Sequence, residues 1–181
     1  MVVYDTLTPI KHKGGVCMVS INGFNLRKVT RYKGHEGEPL EQASIYLNNT
    51  EIGYYNQGDW GGPSTLEFKD SKQRDIFIQT SNRWLDKYPN GIIPDEFDMR
   101  SLYRDDPEGL ILELLTLKEI EKAAKKAMRK VPNSAYILFK GQGNKLYEKL
   151  ILNKDDAILD FISKNKAVFL VRSDKSFELT I

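Results

Sequence analysis

Val16-Cys-Met-Val-Ser-Ile21-Asn22-Gly23-Phe24-Asn-Leu-Arg-Lys-Val-Thr-Arg-Tyr32 decides the fold class. Val16–Ile21 is apolar and β-branched, which suits a strand. Asn22-Gly23 is the strongest short hairpin pair, because both positions tolerate positive φ. Phe24–Tyr32 then reads as the return strand. Downstream, Ala43–Leu47 is a third strand, and Asn48-Asn49 turns it into a fourth at Glu51–Tyr55. Ser64–Phe68 is a fifth. Short connections make this an antiparallel meander with one buried face.

Past residue 70 the period changes. Asp70 or Ser71 caps a helix over about 72–88, with Ile76, Phe77, Trp84 and Leu85 at helical spacing. Pro89-Asn90-Gly91 stops it, and residues 91–107 form a loop rich in acids, including Asp95, Glu96, Asp98, Asp105 and Asp106. Such a loop suits a lid or a docking segment. Leu110–Leu115 is a short helical piece. Thr116-Leu-Lys-Glu119 reads as a capping box opening a second helix to about Lys130, which Pro132 ends. The last stretch reads as strands at Ala135–Phe139 and 145–152, then a helix capped by Asp155 or Asp156. Strands at Ala167–Val171 and Phe177–Ile181 follow. Gly141-Gln-Gly143 is a turn without the following helix that a phosphate loop requires. The fold class is therefore α+β: an N-terminal antiparallel β-meander, central helices and a C-terminal ββαββ unit. The regions are 1–70, 71–132 and 133–181, forming one compact domain or two that share a core.

Composition narrows the function classes. The 181 residues are 40% hydrophobic, too apolar for a disordered chain. No apolar run approaches the roughly 20 residues that span a bilayer, and the N-terminus lacks a signal-peptide pattern. The single cysteine excludes an internal disulfide framework and a multi-cysteine zinc site. A cytoplasmic setting without a membrane partner is expected. Lys plus Arg number 27 against 25 Asp plus Glu, so a wholly basic nucleic-acid binder is excluded. Five N-terminal strands leave a sheet edge to be covered or paired, and a homodimer stays open.

The candidate site is Lys33-Gly-His-Glu-Gly-Glu-Pro39, followed by Glu41 and Gln42. A second polar loop is Asn56-Gln-Gly-Asp-Trp-Gly-Gly-Pro63. Connections in a meander alternate between the two sheet ends. Two strands separate these loops, so they belong to the same end. His35, Glu36, Glu38 and Asp59 are thus candidate catalytic residues. Glu36, Glu38 and Asp59 are candidate ligands of a hard divalent cation such as Mg or Mn. Alternatively, His35 is a general base oriented by a carboxylate. Either arrangement suits phosphodiester cleavage, a ribonuclease activity. The same residues are also ordinary turn formers that brace a loop. His12, between Lys11 and Lys13, reads as solvated.

The helix from Thr116 carries Lys118, Lys122, Lys125, Lys126 and Arg129 on one face, with Lys130 beside them. Leu117, Ile120, Ala124 and Val131 lie on the other. A cationic stripe of this kind binds nucleic-acid phosphates, although lysine-rich outer faces are common on solvated helices.

Arg31-Tyr-Lys-Gly-His-Glu-Gly-Glu-Pro39, Ile45-Tyr-Leu-Asn48, Ile52-Gly-Tyr54 and Gly58-Asp-Trp-Gly-Gly62 together resemble small proteins carried by phages and plasmids. Some of these are type II anti-CRISPR proteins, including ones that shorten the guide RNA of Cas9. The resemblance spans residues 16–68. It implies an inhibitor of bacterial defence with Cas9 or its guide RNA as partner. A non-enzymatic module that blocks a partner sterically is the alternative.

Overall fold

The computed structural model describes residues 10–11, 17–59, 62–88, 91, 106–140, 146–171 and 177–179. The chain divides into two compact units, residues 1–6 with 20–116, and residues 7–19 with 117–181. The architecture is α+β, with antiparallel sheets. No helix among the described residues is long and apolar enough to cross a membrane.

Two short strands open the chain: β1 (Ile10–Lys11) pairs with β2 (Cys17–Met18) in a small sheet of the second unit. The residues ahead of Asn22-Gly23 therefore find their partner upstream and do not form the expected hairpin. The turn itself exists. Asn22 and Gly23 adopt φ of 50° and 84°, and Ile21 and Phe24 exchange backbone hydrogen bonds of 3.0 and 2.9 Å. A single isolated bridge, Ile21 to Phe24, pairs the two sides among the described residues.

The meander of the first unit is β3 (Phe24–Lys33), β4 (Pro39–Leu47), β5 (Thr50–Asn56) and β6 (Thr65–Phe68), paired in chain order. An extra residue in β3 between Arg27 and Thr30 makes a bulge, where Lys28 takes a φ of 53°. Leu26, Ala43, Ile45 and Ile52 are buried at 0% exposure, which marks the core face. On the same sheet, hydrogen bonds from Lys69 and Tyr46 hold the Glu51 carboxyl down at about 2.

The Gly23 carbonyl accepts from the Asn48 N–H at 2.7 Å, so two turns clasp each other. A Cβ at Gly23 would sit 2.6 Å from Asn48 Oδ1, on a backbone with φ +84°. Left-handed backbone costs an L-residue about 1–2 kcal/mol. Gly23→Ala should thus lower the urea midpoint with an unchanged slope, by about that energy.

Helix α1 (Ser71–Lys87) follows, with the Asp70 side chain accepting from the Lys72 N–H at 3.0 Å. Its buried positions are Phe77, Thr80, Ser81, Trp84 and Leu85. Ile76, expected on that face, is 38% exposed. Phe77 stands edge-on to Phe24 at 4.9 Å and tilted against Phe68 at 5.3 Å.

Helix α2 (Glu108–Lys130) is continuous. The expected break at Thr116 is absent: the Thr116 hydroxyl donates to the Leu112 carbonyl at 2.9 Å, inside the helix. The physical reason is the unbroken apolar stripe, with Leu110, Ile111, Leu114, Leu117 and Ile120 all buried. The true start is at Asp106, whose carboxylate accepts from the Glu108 N–H at 2.8 Å.

The second unit also carries β7 (Ser134–Lys140), β8 (Leu146–Leu152), α3 (Asp155–Lys164), β9 (Lys166–Val171) and β10 (Phe177–Leu179), the ββαββ unit. The strand order is β10-β9-β7-β8, so β7 is central. Ala135, Ile137, Ile158 and Leu170 form its core. The N-cap of α3 is Lys154 and makes no side-chain cap bond; Asp155 and Asp156 lie in the first turn, where carboxylates favour the dipole. His12, Pro89-Asn90, Trp60 and the turn at 141–143 lie outside the described residues, as does the acidic loop from 92 to 105.

Candidate functional site

The β3–β4 connection is a tight turn. The Gly34 N–H donates to the Glu38 carbonyl at 2.8 Å, and Gly37 takes a φ of 84°. The β5–β6 connection folds back on itself, and a Cβ on Gly58 would run into the Gly62 and Pro63 carbonyls.

These two loops meet. The His35 N–H donates to the Asp59 carboxylate, at 3.1 Å to Oδ1 and 3.2 Å to Oδ2. The Glu36 N–H donates to Glu38 Oε2 at 2.9 Å. Carboxylate oxygens of Glu38 and Asp59 both lie inside the space a Cβ on Gly34 would fill. Glycine at 34 is thus what lets the two acids approach. The second clasp is at Gln57, whose N–H donates to the Glu41 carbonyl at 2.9 Å while its Oε1 accepts from the Glu41 N–H at 3.2 Å. The Tyr32 hydroxyl sits 2.8 Å from Asn56 Oδ1 and 2.9 Å from the Gln57 carbonyl.

Of the four candidate residues, Glu38 and Asp59 come together: Asp59 is spent on the His35 N–H of the facing turn, and Glu38 on the Glu36 N–H of its own turn. His35, Glu36 and Asp59 are exposed, and Glu38 is half-buried. Among the described residues no group of three or more His, Cys, Asp or Glu is placed to hold a metal ion. The arrangement braces two loops firmly.

A neighbouring cluster escapes sequence reading. The Ser64 hydroxyl donates to Glu108 Oε1 at 2.6 Å, and the Tyr55 hydroxyl does so at 3.3 Å. This ties the start of α2 to β5 and to the loop before β6. Burial pushes the Tyr55 phenol up to about 12; the Ser64 hydrogen bond opposes this and the Glu108 charge adds to it. Burial, then Glu148, also pushes the Tyr136 phenol up. Below pH 10 Tyr55 is neutral folded or unfolded, so it adds no pH dependence. Between pH 10 and about 12 the unfolded phenol ionises while the folded one does not, so stability falls as pH rises. Tyr55→Phe should flatten that fall, read as the urea midpoint against pH.

The cationic face of α2 is not uniform. Glu121, 3% exposed, lies between Lys118 and Lys125 and pairs with both, at 2.9 Å to Lys118. Lys122, Lys126, Arg129 and Lys130 are exposed, and among the described residues no carboxylate pairs with them. Lys126, Arg129 and Lys130 fall at about +40°, −20° and +80° from Lys122, over an axial length of about 12 Å. They form one row. Comparison with protein-family models, with curated proteins and with solved structures returns no match to this chain.

Proposed function

We propose that this chain is a binding protein that seizes RNA, and that it serves as a phage- or plasmid-borne inhibitor of Cas9-type defence, with the guide RNA, free or on Cas9, as its partner. The observation that carries the RNA part is the row Lys122, Lys126, Arg129 and Lys130, with which no carboxylate pairs among the described residues. A row of four cations offers a phosphodiester backbone repeated charge-assisted contacts. The defence setting rests on the resemblance over residues 16–68.

A second reading keeps RNA cleavage at His35, Glu36, Glu38 and Asp59, assisted by Mg or Mn. One observation favours it: Glu38 and Asp59 meet over Gly34. Against it stands the use of both carboxylates as loop braces.

Labelled guide RNA separates the two. Anisotropy reads binding, and a denaturing gel with and without Mg reads integrity. Binding with full-length RNA is the expected result. Shortened RNA that a His35→Ala/Glu36→Ala variant no longer makes would replace binding by cleavage. Absence of binding to free and Cas9-bound guide alike would remove both.

A further inference from the structure

Resting on the RNA reading above, we infer that Glu121 divides the lysines of α2 into two classes and so sets the phosphate footprint. Lys122, Lys126, Arg129 and Lys130 are the contacts; Lys118 and Lys125 are withdrawn. A carboxylate at i is flanked by Lys at i−3 and i+4, the two spacings that bring helix side chains together. Both ammonium groups point to one nearly buried acid, whose side chain is only 4% exposed. The side chain of Lys118 is 18% exposed and that of Lys125 is 32% exposed. A buried carboxylate needs its partners, and breaking such a pair leaves an uncompensated charge. A phosphate in solution therefore competes poorly for these two lysines. It meets no such competitor at the other four among the described residues. Glu121 acts as a positioning residue: it touches no ligand and fixes which cations remain available.

The probe is a fluorescein-labelled single-stranded RNA of about 12 nucleotides, long enough to overrun the row. Anisotropy at several potassium chloride concentrations gives the slope of log K against log salt, about −0.7 per phosphate contact on a single strand. The wild-type slope should lie near −3 for four contacts. Lys122→Gln and Lys126→Gln should each flatten it by about 0.7. Lys118→Gln and Lys125→Gln should leave it unchanged. Glu121→Gln frees two lysines, and the slope should steepen toward about −4 with severalfold tighter binding. Flattening by Lys118→Gln or Lys125→Gln equal to that of Lys122→Gln would overturn the division while leaving RNA binding intact. A wild-type protein that binds no RNA would remove the underlying reading instead, and binding only to an acidic protein surface would reassign the row.

A second readout needs neither RNA nor the Glu121 variant. Limited acetylation followed by mass spectrometry should label Lys122, Lys126 and Lys130 ahead of Lys118 and Lys125. Equal labelling would overturn the division whatever the binding data.

Discussion

Phe77→Ala should cost about 3–5 kcal/mol of stability, the usual range for removing a buried aromatic ring. Phe77 is fully buried, and its ring bridges Phe24 at the start of β3 and Phe68 at the end of β6. Those are the two edge strands of the first sheet, so one side chain ties α1 to both. Truncation removes two ring contacts and leaves a void that neighbouring strands cannot close without losing register. Ile76 is the control: adjacent in sequence and 38% exposed, its change to Ala should cost about 1 kcal/mol or less. Urea unfolding followed by far-ultraviolet circular dichroism reads both. Equal effects would show that α1 packs by a different face.

The second large effect is on binding. Lys122→Glu/Lys126→Glu/Arg129→Glu removes three of the four cations in the row. At about 0.7 per contact and 0.1 M salt, affinity for single-stranded RNA should fall roughly 100-fold or more. The reversed charges add repulsion. Stability should change little, because these side chains have no ion-pair partner among the described residues. Charge reversal at Glu119, an exposed acid of the same helix, should strengthen RNA binding if it changes it at all. A triple variant that keeps wild-type affinity would take the row out of the interface.

Much of the fold was legible because its signals are local. Alternation marked β4 to β6, the cap at Asp70 marked α1, and the C-terminal strands and helix lie close to their expected positions. Two local signals misled for the same physical reason: a motif names a conformation but not a partner. Asn22-Gly23 does form its turn, yet residues 17–18 pair with 10–11. Thr116 has the sequence of a cap, yet an apolar stripe running through it keeps the helix going.

The site divides in the same way. That the 33–39 and 56–63 loops share a sheet end followed from strand parity. That they meet through the backbone N–H of His35 did not, since residue types do not say which atom bonds. The Tyr55–Ser64–Glu108 cluster joins residues 44 and 53 positions apart, beyond any local pattern. Glu121 was within reach. A single acid three and four residues from lysines is a pairing signal, but counting only cations and apolar residues around the helix passes over it.

The most direct test of the central claim is the salt dependence of wild-type binding to single-stranded RNA. A linear plot of log K against log salt with a slope near −3 is the predicted result, matching four phosphate contacts on α2. A slope near zero, or no binding at low salt, would contradict it.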